Sequence, residues 1–508
     1  MKTSRRRDLP GWLATALLSI SLLASPVGAQ PAAPQTDEFQ VNDTTASSQF
    51  LSDLAQQDDG TFVVVWMSQT TPGNDTSQYA LVGQRFDASG VAVGDEFQVN
   101  SYTTGDQRWP AVTALDGGGF VVSWSSEGSA GTDTSGDSVQ VRRFAADATP
   151  QGPEVQVNST VTADQSYPSV DAAADGSFVV VWQSDSTMED GSGYSVQLQR
   201  YDGAGNPVGG ETVVNAYTTG DQDRPAVSVL DDGSFVVAWE SNISPEDDLG
   251  SSVRARQFAA DGMPASDELQ VNTYTPGNQI GPAVGLQDAG GFVVVWESHD
   301  APGDPASRSI QSRRFTADGT PRAADEQVNS FTTGPQTFPR LAVEGNGAFV
   351  VVWESYDSPF DDPSRSIQGQ RLDPNGVATG DLFQVNQYTT NVQLLPAVAG
   401  RDGGDFVVSW ITVGSVGDDT ELSAIAGRLY GRDGDGDGVL DTVDVCQGND
   451  ASGDVDGDLV CADLDCDDGD GGLGLPDACG VCGGSAACVV FSDDFESGDT
   501  TIWSNSNP

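Results

Sequence analysis

One short sequence recurs seven times along this chain, and its regular spacing limits the possible folds more than any other feature. A Val-Asn dipeptide begins at Val41, Val99, Val157, Val214, Val271, Val328 and Val385. A Phe-Val-Val-x-Trp run keeps the same spacing of 57 or 58 residues and ends at Trp66, Trp124, Trp182, Trp239, Trp296, Trp353 and Trp410. Such a period indicates one supersecondary unit copied along the chain, each copy burying its apolar faces against its neighbours.

Each repeat contains four runs with the composition of β-strands. In the fifth repeat these runs are residues 281–286, 292–296 and 309–315, and the fourth type stands just upstream at residues 268–271. The Phe-Val-Val-x-Trp run is apolar on both faces, so it must be covered on both sides. Asp-Gly turns such as the one at Gly233 join the first two runs as hairpins. Four antiparallel strands repeated seven times predict an all-β, seven-bladed β-propeller rather than a solenoid.

The order of the strand types predicts how the propeller closes. The first run, residues 38–41, is of the fourth type, and the last repeat stops after a run of the third type at residues 424–430. The first strand can therefore complete the last blade, which removes both free sheet edges. We predict a monomeric propeller over residues 38–430, with the seven repeated tryptophans in the cores of the blades.

These repeats also resemble a known type of sequence. Copies of the form FVVVWES…IQxRRF…EFQVN are similar to a repeat found in large exported bacterial surface and calcium-associated proteins. The resemblance covers about residues 38–430. It implies propeller blades in a bacterial exported protein, and it implies no particular reaction.

The N-terminus has the features of an export signal. Four basic residues within the first seven positions precede an apolar stretch at residues 12–23 and small residues at positions 27–29. This pattern predicts a signal peptide over residues 1–29, followed by a linker at residues 30–37. No later run is long and apolar enough to span a bilayer. We therefore expect an exported protein, either extracellular or on the cell surface.

The charge of the chain is strongly negative. The full sequence has a net charge of −53, and removing the signal, whose net charge is +3, leaves −56. Such a charge repels nucleic acid and anionic lipid, and it favours cations and basic partners. It is also typical of a surface that resists aggregation.

The loops on one face of the predicted propeller are acidic, notably residues 240–248, 297–304 and 354–362. They could form a ring of carboxylates that binds cations or a basic partner. The sequence favours solvated turns instead, because Asp, Ser, Pro and Gly are what loops require. The chain has one histidine, His299, which excludes a repeated histidine-based catalytic or metal centre. We expect this histidine to be exposed.

An arginine recurs in the third strand of the repeats. The positions are Arg85, Arg143, Arg200, Arg256, Arg314, Arg371 and Arg428. A pocket of arginines could bind an anionic ligand, but pairing with carboxylates of the same or the adjacent blade is the favoured interpretation.

After the repeats, an Asp-rich segment at residues 431–488 has the spacing of calcium-binding loops. The ligands predicted for the first loop are Asp433, Asp435, Asp437, Val439 through its carbonyl, Asp441 and Asp444. Weaker copies place Ser452, Asp454, Asp456 and Asp463 in a second loop, and Asp468, Asp470 and Asp477 in a third. A hard ion that needs many oxygens around a tight turn requires this spacing, so we predict calcium as the cofactor.

This segment resembles thrombospondin type 3 and EF-hand-like calcium loops. It has Asp rather than Glu at the last ligand position of the loop, and it lacks evident flanking helices. All the cysteines fall in the same segment, at Cys446, Cys461, Cys466, Cys479, Cys482 and Cys488. In an exported chain an even set predicts disulfides, with the connectivity left open. The alternative is an acidic disordered linker.

Taken together, these patterns predict a calcium-binding interaction or adhesion scaffold that presents propeller loops to a protein or glycan. We expect no enzymatic activity on this interpretation. The alternative is an extracellular polysaccharide hydrolase that uses a pair of carboxylates on the loop face. Residues 489–508 form a C-terminal tail, either a sorting tag or a disordered end.

Overall fold

The computed structural model describes residues 32–432, apart from positions 46, 70–72, 76–77, 130, 186–192, 245–246, 288–289, 302–306, 358–364, 402 and 415–422. The predicted signal peptide, the calcium loops that begin at Asp433, the six cysteines and the C-terminal tail lie outside the described residues.

The regular elements of the described part are β-strands, arranged in seven antiparallel sheets. Strands one to four of each sheet run from the innermost position to the outermost, and neighbouring innermost strands contact each other in a closed ring. The predicted all-β, seven-bladed propeller of four-stranded blades is thus confirmed. No helix among the described residues has the length and apolar character needed to cross a membrane.

The strands fall into four sets by position. The inner strands are β3 (Gln49–Gln56), β7 (Gln107–Ala114), β11 (Gln165–Ala172), β15 (Gln222–Val229), β19 (Gln279–Leu286), β23 (Gln336–Val343) and β27 (Gln393–Gly400). The second strands are β4 (Phe62–Ser68), β8 (Phe120–Glu127), β12 (Phe178–Ser184), β16 (Phe235–Ser244), β20 (Phe292–His299), β24 (Phe349–Tyr356) and β28 (Phe406–Val413). We number the blades 1 to 7 in this order.

The third and outer strands complete the blades. The third strands are β5 (Ala80–Phe86), β9 (Asp137–Phe144), β13 (Ser195–Tyr201), β17 (Asp247–Phe258), β21 (Arg308–Phe315), β25 (Arg365–Leu372) and β29 (Ser423–Arg432). The outer strands are β6 (Phe97–Gln98), β10 (Val155–Gln156), β14 (Pro207–Val213), β18 (Leu269–Gln270), β22 (Glu326–Gln327), β26 (Ala378–Gln384) and β2 (Phe39–Gln40). A further strand, β1 (Ala32–Pro34), also pairs with β29.

The apolar core lies between the blades. Each of seven hydrophobic clusters joins residues of two neighbouring blades, as where Val236 of blade 4 packs with Phe292 of blade 5. The second strands are covered on both faces, which is why their sequence is apolar at successive positions. Each repeated tryptophan is at most 1% exposed, and its Nε1 donates to the glutamine that begins the inner strand of the same blade at 2.8–3.2 Å.

The Val-Asn dipeptide has an equally specific role. The asparagine Oδ1 accepts a hydrogen bond of 2.7–2.9 Å from a backbone N–H of the third strand, in all seven blades. This bond continues the strand pairing after the short outer strand has ended. The repeated Asn therefore satisfies a backbone donor that would otherwise be buried without a partner.

The N-terminal strand closes the propeller as the order of strand types predicted. Strand β2 pairs with β29, placing Phe39 opposite Gly427. The Asn42 Oδ1 accepts from the Ile425 N–H at 2.8 Å, so the first repeat supplies the missing parts of blade 7. Without this pairing, the outer edge of β29 would present unpaired backbone N–H and C=O groups.

Candidate functional site

A β-bulge recurs near the N-terminal end of every inner strand. Pairing with the second strand shifts register between the second and the fifth residue. The third residue of each inner strand has a φ between 46° and 60°, and proline follows it in six of the blades. We call these residues the mouth ring, because they surround one end of the central channel. The mouth ring comprises Leu51, Trp109, Tyr167, Arg224, Gly281, Phe338 and Leu395.

The preceding blade holds the backbone of the ring in place. In three places the side chain of the residue that follows the repeated tryptophan accepts a hydrogen bond from the backbone N–H of the mouth-ring residue in the next blade. The pairs are Ser125 with Tyr167 at 3.2 Å, Gln183 with Arg224 at 3.1 Å, and Glu354 with Leu395 at 3.4 Å. In blade 5 the Gly281 backbone is near Glu240, the residue after Trp239, and opposes the raising of its pKa by burial. The residue after the tryptophan therefore lies at the mouth of the channel.

Two carboxylates oppose each other at the mouth in blade 4. Asp223 of β15 lies opposite Glu240 of β16 in the antiparallel pairing, so their side chains project from the same face. Glu240 is 7% exposed. Within the described part of the chain, the Asp223 Oδ1 and the Glu240 Oε2 are buried and receive no hydrogen bond. The Arg224 Nη1 lies 3.6 Å from the Glu240 Oε2, and the Arg224 side chain is 50% exposed.

Burial changes the acidity of this pair. It raises the pKa of Asp223 to about 7, with further contributions from the charge of Glu240 and an opposing one from Arg224. Burial also raises the pKa of Glu240, which Arg224 counteracts. Two adjacent carboxylates in a partly dry site cannot both ionise without a cost, so the pair retains a proton near neutral pH. A protonated acid beside an ionised carboxylate is suited to acid–base chemistry.

An aromatic pair adjoins these carboxylates. The Trp109 and Tyr167 rings of the mouth ring lie 4.3 Å apart between centroids, with an interplanar angle of 31°. Both side chains are partly exposed. Burial raises the pKa of the Tyr167 hydroxyl, with opposing effects from Arg224 and Asp223. The aromatic pair and the carboxylate pair therefore share one electrostatic environment, in consecutive blades.

Other acidic residues at the mouth are paired with cations. Glu297 accepts from the Arg308 Nη1 and the His299 Nε2, each at 3.0 Å. Glu354 accepts from the Arg365 Nη1 at 2.9 Å. Burial raises the pKa of Glu354, and Arg365 opposes this effect.

The expectation that these acidic segments are only solvated turns is therefore wrong at their first positions. Glu297 is 3% exposed and Glu354 is not exposed at all. The expectation of an exposed histidine also needs correction, since the His299 side chain is only 23% exposed. The reason is that all three residues belong to the ends of second strands, where the blades converge on the channel.

The channel below the mouth ring is polar. Burial raises the pKa of Asp53 to about 6, and its Oδ2 accepts from the Val112 N–H at 2.8 Å. Burial also raises the pKa of Asp171. Arg340 is exposed, and its charge opposes the effect of burial on the pKa of Asp53. Charged groups from different blades, such as Asp53 and Arg340, therefore oppose the effect of burial on each other's pKa.

The recurring arginines connect neighbouring blades, as the sequence analysis favoured, but they mostly donate to carbonyls. Two of the seven, Arg256 and Arg428, donate to the carbonyl of the Val-Asn valine in the preceding blade at 2.9 Å. In blades 2 and 5 the adjacent Arg142 and Arg313 make the same bond, at 2.8 and 2.6 Å. Arg371 is paired with Glu344 at 2.6 Å.

Many acidic residues that the sequence left unexplained have a similar structural role. An outer-strand carboxylate accepts backbone N–H groups from the turn after Val-Asn in the preceding blade. The residues are Glu38, Glu96, Glu154, Glu211, Glu268 and Asp325. Their fixed position three residues before the Val-Asn valine was a signal that sequence analysis could have used.

The predicted metal ligands, from Asp433 to Asp477, and all six cysteines lie outside the described residues. Within the ranges that the structure describes, no group of three or more His, Cys, Asp or Glu side chains is placed to hold a metal ion. Of the residues brought together at the mouth, Glu240 begins one of the acidic segments named from the sequence, whereas Asp223, Trp109 and Tyr167 were not singled out.

No known protein family and no curated protein matches this chain. Several solved structures are similar to it. A protein of unknown function from Dyadobacter fermentans has 12% identity and a TM-score of 0.46, covering 80% of this chain and 100% of that one. An α-L-arabinanase from Penicillium chrysogenum has 14% identity and a TM-score of 0.42, covering 69% and 98%. A PL25 ulvan lyase has 8% identity and a TM-score of 0.46, covering 79% and 95%.

The expectation that this chain is not an enzyme needs correction. The similar structures include enzymes, among them the arabinanase and the ulvan lyase. At these identities and TM-scores the likeness carries no argument about a reaction or a substrate. Any assignment of chemistry has to come from the geometry of the mouth itself.

Proposed function

We propose that this protein is an exported polysaccharide hydrolase whose active site is the mouth of the propeller channel. The observation that carries the proposal is that Asp223 and Glu240 stand directly opposite each other at the mouth, where burial raises the pKa of Asp223 to about 7. Hydrolysis of a glycosidic bond needs one protonated and one ionised carboxyl group flanking the scissile bond. The aromatic pair beside them supplies a flat apolar surface for a sugar ring.

The environments of the two carboxyl groups suggest their roles. Asp223 has the pKa raised to about 7 and is the more accessible of the two, so it would act as the general acid that protonates the leaving oxygen. Glu240 lies beside Arg224, which favours its ionised form. Glu240 would therefore act as the nucleophile or as the base for water.

The spacing of the pair favours the first of these roles for Glu240. Directly opposed residues of an antiparallel pair have Cβ atoms about 5 Å apart, so the short Asp and Glu side chains can bring their carboxyl groups to a similar separation. Retaining glycosidases hold their carboxyl groups about 5 Å apart, whereas inverting enzymes leave room for a water between them. The Glu240 Oε2 is buried, and the Nη1 of the half-exposed Arg224 lies 3.6 Å from it.

A panel of polysaccharides tests this proposal. We expect the wild-type chain to release reducing ends from at least one substrate, and Glu240→Gln to remove that activity. Asp59→Asn is the matched control, because Asp59 lies in an exposed turn at the other end of the inner strand. Binding of glycans without any cleavage would contradict the proposal, as would full activity in Glu240→Gln.

A further inference from the structure

Gly281 is the single glycine of the mouth ring, and its backbone does not require it to be one. Its φ of 60° is close to the values of 46° to 55° at the other six positions. Those positions carry Leu, Trp, Tyr, Arg, Phe and Leu side chains. Glycine is usually chosen at positive φ because other residues are strained there. Here the other six blades show that larger residues adopt this conformation. The backbone therefore does not require a glycine, and its effect at this position is to leave space free of a side chain.

The space at Gly281 is open. A Cβ placed on Gly281 would meet no atom within 4 Å. By contrast, a Cβ on Gly83 in blade 1 would lie 2.5 Å from the Phe97 ring, so that glycine is required by packing. We call the opening at Gly281 the notch.

The notch adjoins the carboxylate pair. The Gly281 backbone lies close enough to Glu240 to oppose the raising of its pKa by burial, and Arg224 and Phe338 are the mouth-ring residues in the blades on either side. Phe338 is 42% exposed. Aromatic side chains therefore lie on both sides of the notch, because the Trp109–Tyr167 pair occupies the two blades before Arg224. This arrangement can seat the flat faces of successive sugar rings with one ring above the carboxylates.

The charges at the mouth argue against an acidic ligand. Each of the mouth arginines already faces a carboxylate: Arg108 with Asp106, Arg224 with Glu240, Arg308 with Glu297, and Arg365 with Glu354. Arg340, two residues further along its inner strand than the mouth-ring residue, is attracted by the charge of Asp53. An anionic glycan would also approach a chain with a net charge of −53.

We infer that the mouth binds a neutral glycan, with one sugar ring seated in the notch that Gly281 leaves beside Asp223 and Glu240. The inference rests on the proposed function for the position of the site but not for turnover. Gly281 is then a residue that determines specificity, since a side chain there would occupy the place of the sugar.

Calorimetric titration of an Asp223→Asn chain, in which turnover is suppressed, tests the inference. The probes are neutral xylo-, manno- and gluco-oligosaccharides and, for comparison, oligogalacturonate. We expect at least one neutral probe to bind and the acidic probe not to bind. Adding Gly281→Leu, which introduces the residue found in blades 1 and 7, should weaken binding by about tenfold or more. Gly281→Ala should have a smaller effect in the same direction and guards against misfolding of the leucine variant.

Gly210→Leu is the matched control, because a Cβ on Gly210 also meets no atom within 4 Å and Gly210 lies exposed in the outer strand β14, away from the mouth. It should leave affinity within about twofold. Tighter binding of oligogalacturonate, absence of binding by every neutral probe, or equal affinity in Gly281→Leu would overturn the inference. Neutral binding lost in Gly281→Leu, with no cleavage by wild type, would remove the proposed function and leave this inference intact. If the wild type cleaves a polysaccharide and Gly281→Leu does not change that cleavage, the proposed function stands and this inference is wrong.

Discussion

Replacing Asp223 with Asn should stabilise the protein at high pH and not at low pH. The pKa of Asp223 is raised from its ordinary 3.8 to about 7, mainly by burial. Between these values the folded chain keeps a proton that the unfolded chain has lost, so the stability of the wild type falls as the pH rises from about 4 to about 7. Above pH 7 this loss is complete. Asparagine resembles the protonated acid and avoids the loss.

The size of this stability change follows from the pH interval over which Asp223 is protonated in the folded chain but not in the unfolded chain. From pH 5 to the pKa at about 7, each pH unit corresponds to about 1.36 kcal/mol, which sets an upper value near 2.7 kcal/mol. Water at the mouth and the adjacent Arg224 reduce the effect, so we expect about 1 to 2 kcal/mol.

Urea denaturation at pH 5 and pH 8 measures this difference. The free energy of unfolding of Asp223→Asn, relative to wild type, should be about 1 to 2 kcal/mol higher at pH 8 than at pH 5. Asp59→Asn removes the same charge from an exposed turn where the carboxylate has a lowered pKa, so its effect should not change between these pH values. An equal effect of Asp223→Asn at both pH values would show that Asp223 is an ordinary acid and would refute the reasoning.

Three further perturbations test other parts of the structure. Gln279→Leu leaves the buried Trp296 Nε1 without its acceptor and should lower the free energy of unfolding by about 1–3 kcal/mol in urea denaturation; no change would mean that this bond is dispensable. A chain that begins after Val41 lacks the strands that pair with β29 and should associate as concentration rises, which light scattering detects; a stable monomer would contradict the closure described above. Calcium titration of the chain without its signal should show binding that is lost in a chain ending at Tyr430, because the predicted ligands follow that residue; equal binding by the shorter chain would place the ion in the propeller.

The fold could be predicted because every blade solves the same packing problem with the same residues. The repeated tryptophan needs an acceptor for its Nε1, and the repeated asparagine accepts a hydrogen bond from a backbone N–H of the third strand. Such needs recur at a constant interval, so the interval itself revealed the number of blades. The closing strand was predictable for the same reason, since residues 38–41 match a strand type that the last repeat lacks.

The mouth could not be predicted in this way because it depends on differences between the copies. Asp223 and Gly281 stand where other blades have other residue types, and a repeat pattern draws attention away from such positions. The abundance of acids also concealed the pair. Most outer-strand carboxylates hold the turns of a neighbouring blade, and only the structure separates them from the two at the mouth. Comparing the seven copies at the third position of the inner strand would have identified Gly281 as the exception.

The central claim is that Asp223 and Glu240 form an active site, and the most direct measurement is reducing-end release from neutral polysaccharides by wild type and Asp223→Asn. We expect the wild type to cleave at least one substrate, and the rate to fall by about 100-fold or more in Asp223→Asn because the general acid is lost. The Asp59→Asn control should cleave at the wild-type rate. An unchanged rate in Asp223→Asn, or no cleavage of any polysaccharide by the wild type, would contradict the account.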